Sequence, residues 1–307
     1  MRRTLPLFLL MIITKVALPP VYAQKPPIVI QVRDALDAKD YAAAAKALAA
    51  ERAASGITPA YIEAVSWMGR GYMAAKNYDR ADHYAAETRK LVLDAVKRRK
   101  LDAEPSLPLA LGASIEVQAQ VLDARGQKAE AVSFLQQEVK TWHATSIRAR
   151  VQKNLNLISL KGRPAPALDV HEYLGDKPPA LATLKGRKVL LFFWAHWCAD
   201  CKAMSGSVAR LARENPHLVV IGPTQPYGYA AEGMEAPRAE EIKYIEQVRQ
   251  RYYKTIPGLT VPVSEENFKL WGASTTPTVA VIDARGMVSL YHPGRMSYEE
   301  LLPYVRD

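Results

Sequence analysis

Two regimes of hydrophobic patterning divide the chain. From Ile28 to about Ile158 the sequence is rich in Ala, Leu, Glu, Lys and Arg and reads as helix. At Lys161-Gly-Arg-Pro-Ala-Pro166 two prolines and a glycine end the helical run. Beyond it, short apolar runs alternate with helix-like stretches. Ala167 to Tyr173, Val189 to Trp194, Leu218 to Ile221, Thr278 to Asp283 and Val288 to His292 read as strands, the second of them buried. Cys201 to Glu214, Ala239 to Tyr252 and Ser297 to Val305 read as helices, the last opened by Ser297 as N-cap with Glu299 and Glu300 in its first turn. This alternation predicts a sheet covered by helices. A boundary near residue 160 gives two domains, as expected for 307 residues.

The helical half contains an internal repeat. Leu36-Asp-Ala-Lys-Asp-Tyr-Ala-Ala-Ala44, Met73-Ala-Ala-Lys-Asn-Tyr-Asp-Arg-Ala81 and Leu122-Asp-Ala-Arg-Gly-Gln-Lys-Ala-Glu130 overlay with turn residues Asp40, Asn77 and Gly126, their starts 37 and 49 positions apart. In the middle unit Gly69 and Tyr72 lie on a first helix, Tyr78 and Ala81 near the start of a second; Leu122 and Lys128 replace the tyrosines in the third. The pattern resembles tetratricopeptide repeats, in which paired helices stack into a solenoid. An unrelated Ala-rich bundle is the alternative. The α-helical repeat (TPR-like) domain is expected over residues 24–158.

Arg2 and Arg3, the apolar run Leu5 to Ile13, the breakers Pro19 and Pro20, and small residues at Val21-Tyr-Ala23 follow the order of an export signal. The run is shorter than the roughly 20 residues of a membrane span, and Lys15 interrupts it. Residues 1–23 therefore read as a cleaved signal peptide, with a retained N-terminal membrane anchor as the alternative. The expected location is periplasmic or otherwise extracytoplasmic, soluble after cleavage. Formal charge is +10, but the one basic run, Lys97-Arg-Arg-Lys100, ends an apparent helix, where cations are favoured anyway. Nucleic acid is not an expected partner.

The chain has two cysteines, Cys198 and Cys201. An exported chain with one pair three residues apart is not a disulfide-stapled scaffold. The apolar run before them would deliver Cys198 to the first turn of a helix, where free N–H groups and the helix dipole stabilise a thiolate. The spacing allows the pair to close into a disulfide, so it can shuttle between two redox states. A zinc site needs two more ligands, and six scattered histidines with no second cysteine pair do not supply them.

Gly162-Arg-Pro-Ala-Pro166, Leu184-Lys-Gly-Arg-Lys-Val-Leu-Leu-Phe-Phe-Trp-Ala-His-Trp-Cys198 and Thr275-Thr-Pro-Thr278 are similar, in order and spacing, to extracytoplasmic thioredoxins of the TlpA/ResA kind. The resemblance spans roughly residues 162 to 307 and implies an α/β thioredoxin-fold domain over 159–307. It implies that Cys198 is the exposed nucleophile and Cys201 the more buried resolving thiol. Trp197 would shape the docking face, and a cis Thr276-Pro277 bond would present the Thr276 backbone to an extended substrate. It also implies no cofactor or metal beyond the redox-active disulfide. Electrons would come from a membrane thiol–disulfide donor. The targets would be oxidised protein thiols, including cysteines awaiting haem or copper, and the helical domain would recruit a protein partner.

Three positions depart from that pattern. Phe192 stands where a buried acid often lies six residues before the first cysteine, Met204 where relatives often carry Glu, and Gly206 where a helix proline is common. Proton transfer would then fall to water, His196 or Asp200. Asp200, between the cysteines, should raise the pKa of a neighbouring thiolate and make the disulfide less oxidising, which favours a reductase. His196 is expected at an exposed position from which it could tune the site. The segment from Pro223 to Glu240, with Tyr227 and Tyr229, reads as a surface loop or a lid. The rival readings are a non-catalytic repeat scaffold or redox sensor, and a disulfide oxidase or isomerase.

Overall fold

The computed structural model describes residues 27–306; the signal-peptide reading of residues 1–23 lies outside them. The helical half is built from α1 (Ile28–Asp37), α2 (Tyr41–Ser55), α3 (Pro59–Ala74), α4 (Tyr78–Ala95), α5 (Ser106–Ala124), α6 (Lys128–Thr141) and α7 (Arg148–Ser159). The pairs α1/α2, α3/α4 and α5/α6 share one turn. In each, the first helix closes with a residue in the left-handed region, Lys39 (φ 59°), Lys76 (φ 58°) and Gly126 (φ 79°). The next amide reaches back to the last turn: Asp40 to the Ala35 carbonyl (2.8 Å), Asn77 to Tyr72 (2.9 Å) and Gln127 to Leu122 (2.9 Å), the Schellman arrangement. Asp40 and Asn77 then cap α2 and α4 through their side chains.

This geometry corrects the overlay of the third unit by one residue. Gly126 matches Lys39 and Lys76 rather than Asp40 and Asn77, and Gln127 holds the cap position without a side-chain bond. Glycine takes φ > 0 freely, so the third turn needs neither the lysine nor the capping side chain. Tyr41, Tyr72 and Tyr84 stack in a column between the first two pairs, with centroids 4.5 and 5.6 Å apart. A core of Val32, Ile62, Met68, Leu111, Leu135 and Val151 closes the layer.

The second half contains β1 (Tyr173–Leu174), β2 (Val189–Phe193), α8 (Ala199–Glu214), β3 (Val219–Ile221), α9 (Arg238–Val248), β4 (Val261–Pro262), α10 (Glu265–Trp271), β5 (Thr278–Ile282), β6 (Val288–Pro293) and α11 (Tyr298–Val305). Four strands form one sheet in the order β3-β2-β5-β6, with β2 parallel to β3 and antiparallel to β5. Every residue of β2 and β5 is buried, as their unbroken apolar runs require of central strands covered on both faces.

Strand alternation sorts those side chains into two cores. Leu190, Phe192, Val220, Val279 and Val281 join Met204 and Val208 of α8 and Ile245 of α9 on one face. Leu191, Phe193, Ile221 and Ala280 join Phe268 and Trp271 of α10 on the other. The Ser297 capping box forms as its sequence requires, with Glu300 returning the bond.

The strand expected over Ala167 to Tyr173 shrinks to Tyr173–Leu174, paired with β4. Its earlier residues spend their polar groups elsewhere: the Asp169 amide donates to the Asn267 side chain (2.7 Å) and its carboxylate accepts from Ser264 (2.8 Å). The helix expected to run to Tyr252 leaves α-geometry at Arg249 and finishes as a π-turn through Tyr253.

The two halves meet where α7 packs on α10 and β6. The buried Asn156 side chain donates to the Trp271 carbonyl at 2.9 Å, and Arg148 pairs with Glu266 at 3.0 Å. Gly272 ends α10 in the left-handed region (φ 64°), and a Cβ there would lie 2.4 Å from the Lys153 amide nitrogen. Gly272→Ala therefore adds a backbone clash to the left-handed penalty. It should cost about 3 kcal/mol in urea unfolding, against about 1 kcal/mol for Gly258→Ala, where φ is 62° but the space is open. Equal losses would show that the interface yields without cost.

Candidate active site

Strand β2 ends at Phe193, and Trp194 continues its path: its amide donates to Pro223, its carbonyl accepts from the Thr224 hydroxyl, and its indole donates to Gly222 (2.9 Å). This fixes the chain just before it turns into α8. Cys198 is the N-cap of α8, and its sulfur accepts the Cys201 amide at 3.1 Å. The first turn of a helix leaves such amides free for this bond. The two sulfurs are joined, with Cα atoms 5.3 Å apart, a normal span for a disulfide.

Cys198, expected as the exposed member, is only 3% exposed, against 0% for Cys201. Both belong to the core cluster containing Phe192, Trp194 and Met204, because the start of α8 is tucked against the sheet. The exposed side chain is the neighbouring Trp197, at 47%. Asp200 lies in the first turn of α8 and is exposed. Thr276–Pro277 is cis, and the Pro277 carbonyl accepts from Gly294 at 2.7 Å.

Trp197, Tyr227 and Thr276 line a cavity of about 600 Å³ that Thr145, Ser146 and Ala149, at the entry to α7, also line. The groove beside Trp197 is thus lined by both halves of the chain. Tyr227 sets its ring edge-on to Trp197 (5.5 Å) and packs towards Phe268 (6.5 Å). Burial pushes its phenol pKa well up. Rather than a free surface loop, the segment after Pro223 is anchored at Tyr227, with Tyr229 bridged to Glu235.

His196 departs furthest from expectation. It is fully buried, as is Glu241 of α9. Its Nε2 lies 3.1 Å from Glu241 Oε1, while Glu241 accepts the Tyr227 and Gly228 amides, the latter at 2.8 Å. Tyr227, Tyr229 and Tyr244 surround the imidazole edge-on at 5.3 to 5.7 Å. Burial lowers the His196 pKa; the bond and charge of Glu241 act against that shift, and the charge of Lys202 acts with it.

Glu241 lies near the start of the helix expected over Ala239 to Tyr252 and was not singled out from the sequence. The available signal was spacing: Glu241, Ile245 and Val248 fall on one buried helical stripe.

Comparison with known proteins places this geometry. The thioredoxin-like domain family matches residues 176–307. The thioredoxin-like protein YneN of Bacillus subtilis is 25% identical over 142 residues, 46% of this chain and 76% of that one. The thiol:disulfide interchange protein DsbE of Xylella fastidiosa is 25% identical over 155 residues, 48% of this chain and 71% of the relative. Among solved structures, the exposed lipoprotein thioredoxin Etrx1 of Streptococcus pneumoniae is 28% identical over 42% of this chain and 90% of its own, with a TM-score of 0.34. The C-terminal part of the chain is a thioredoxin-like domain bearing the cysteine pair of a thiol–disulfide oxidoreductase.

Proposed function

We propose that the protein is an exported reductase that opens disulfides in extracytoplasmic proteins. The observation that carries this reading is the Cys198–Cys201 pair on the first turn of α8, with Asp200 between its members. Cys198, whose sulfur already accepts a helix amide, attacks the client disulfide and holds one half as a mixed disulfide. Cys201 then attacks Cys198, closes the intramolecular disulfide and releases the client thiol. A membrane thiol–disulfide donor returns two electrons to the pair. Trp197 and the Thr276–Pro277 edge hold the client segment. The chemistry uses the cysteine pair alone, without a metal or organic cofactor.

The helical half, read as tetratricopeptide-like, recruits or orients the client. The repeated turns support this reading, as does the placement of Thr145, Ser146 and Ala149 on the wall of the groove. Export is supported by the leader-like order of residues 1–23. Among the described residues, no helix is long and apolar enough to cross a membrane.

Trapping tests the assigned order of attack. Cys201→Ser should accumulate disulfide-linked clients in an extract of the protein's own compartment, and Cys198→Ser should accumulate none. The reverse pattern, or no adduct with either, contradicts the assignment. The direction of electron flow is tested at Asp200. Removing its charge in Asp200→Ala should stabilise the thiolate form and raise the reduction potential by about 30 mV per pK unit. An unchanged potential would remove Asp200 from the account.

A further inference from the structure

We infer that Glu241 is a specificity-determining positioning residue: from inside the core it fixes the spacing of Tyr227 and Trp197, two rings that shape the client groove. This rests on the exchange reaction proposed above and names what the groove selects, a client segment with an apolar side chain beside its disulfide.

One carboxyl group ties both rings. Glu241 Oε1 accepts the Tyr227 amide and lies 3.1 Å from His196 Nε2, while Oε2 accepts the Gly228 amide at 2.8 Å. Tyr227 belongs to the segment after β3, and His196 directly precedes Trp197. The two rings therefore hang from chain segments bonded to the same side chain, and they meet edge-on with centroids 5.5 Å apart. Tyr227, Tyr229 and Tyr244 pack edge-on against the imidazole and hold its side of the contact.

Burying a carboxyl group is costly unless its oxygens are bonded. Here two backbone amides and an imidazole supply the bonds, and the first turn of α9 supplies a favourable dipole. The Glu241 side chain has no exposed surface, so it cannot touch a client and acts through Tyr227. Because a backbone N–H faces each of its oxygens, both must accept. A glutamine of the same size would set its NH2 group against one of those amides.

The chemistry of the groove points to the client. Trp197, Pro226, Tyr227 and Phe268 give it an apolar, mostly aromatic lining. Its charged residues are already paired within the protein: Arg238 with Glu172, and Lys269 with Glu265 at 3.5 Å and Glu266 at 3.7 Å. With those charges matched, the aromatic wall gains most from an apolar side chain, for which a cavity of about 600 Å³ has room.

Stopped-flow mixing of the pre-reduced protein with excess disulfide, followed by tryptophan fluorescence, gives a half-saturating concentration and a limiting rate. In each reaction the Cys198–Cys201 dithiol closes to its disulfide and the added disulfide is reduced to two thiols. The probes are a symmetrical disulfide of a short peptide with leucine after its cysteine, the same peptide with serine there, and bis(2-hydroxyethyl) disulfide. The wild type should half-saturate with the leucine peptide at a concentration about 10-fold lower than with the serine peptide. Glu241→Gln should erase that preference by raising the half-saturating concentration for the leucine peptide. Tyr227→Ala should do the same, and the double variant should lose no more than either single one, because both act through one contact. The exposed Lys243→Ala should match the wild type.

A folded Glu241→Gln protein that keeps the preference overturns the inference, as does a double variant whose losses multiply to about 100-fold. Equal slowing of all three disulfides also overturns it, by assigning Glu241 to the support of the cysteine pair. Should a melting curve show Glu241→Gln unfolded, Glu241→Asp decides the matter: it keeps both acceptors but withdraws them by one methylene. It should lose part of the preference, and an unchanged preference overturns the inference. A wild type that reduces all three disulfides without preference overturns the selection alone. One that reduces none of them overturns the exchange reading itself, and the selection with it.

Discussion

The hydrogen bond from the Cys201 amide to the Cys198 sulfur, made at the open first turn of α8, is the interaction on which the rest of the site depends. It exists because β2 is buried along its whole length between two cores and cannot shift register without exposing one set of side chains. The strand therefore aims the chain at a single point, and the bonds of Trp194 to the segment after β3 hold that aim to the last residues before the helix. A sulfur held against a helix N-terminus has its thiolate stabilised by fixed dipoles rather than by a neighbouring cation. Asp200, in the same first turn, and Trp197, next to Cys198 in the chain, flank that fixed sulfur.

The second constraint is the close approach of α7 to the end of α10. Asn156 on the Trp271 carbonyl and the glycine at position 272 bring the backbones of the two halves together. With α7 held there, its first turn becomes a wall of the cavity that Trp197 and Thr276 line from the other side. The helical half and the thioredoxin-like half thus line one groove.

Much of this arrangement was legible in the sequence where the signal was local. The apolar run before Trp197-Cys198, the Ser297 cap and the Thr-Pro-Thr strand start each depend on a few adjacent residues, and each took the expected secondary structure. What stayed hidden depended on contacts distant in sequence. His196 read as exposed because nothing near it announces Glu241, 45 residues on. Residues 167–172 looked like strand, but Asn267 and Ser264 take up the polar groups of Asp169. The third helical turn was overlaid one residue early because Gly126 replaces a lysine in the left-handed position, a geometric match between chemically unlike residues. Cys198 looked accessible, yet the start of α8 is sunk into the core, leaving Trp197 as the exposed side chain.

The central claim is that this cysteine pair favours its disulfide strongly enough to act as a reductant of other proteins. Equilibrating the purified protein against defined thiol buffers, with the two redox states counted after alkylation, gives the reduction potential of Cys198–Cys201 directly. A reductant of this kind should show a value of about −270 mV, as in thioredoxin. A value near about −120 mV, as in strong periplasmic oxidants, would contradict it and make disulfide formation the reaction to explain.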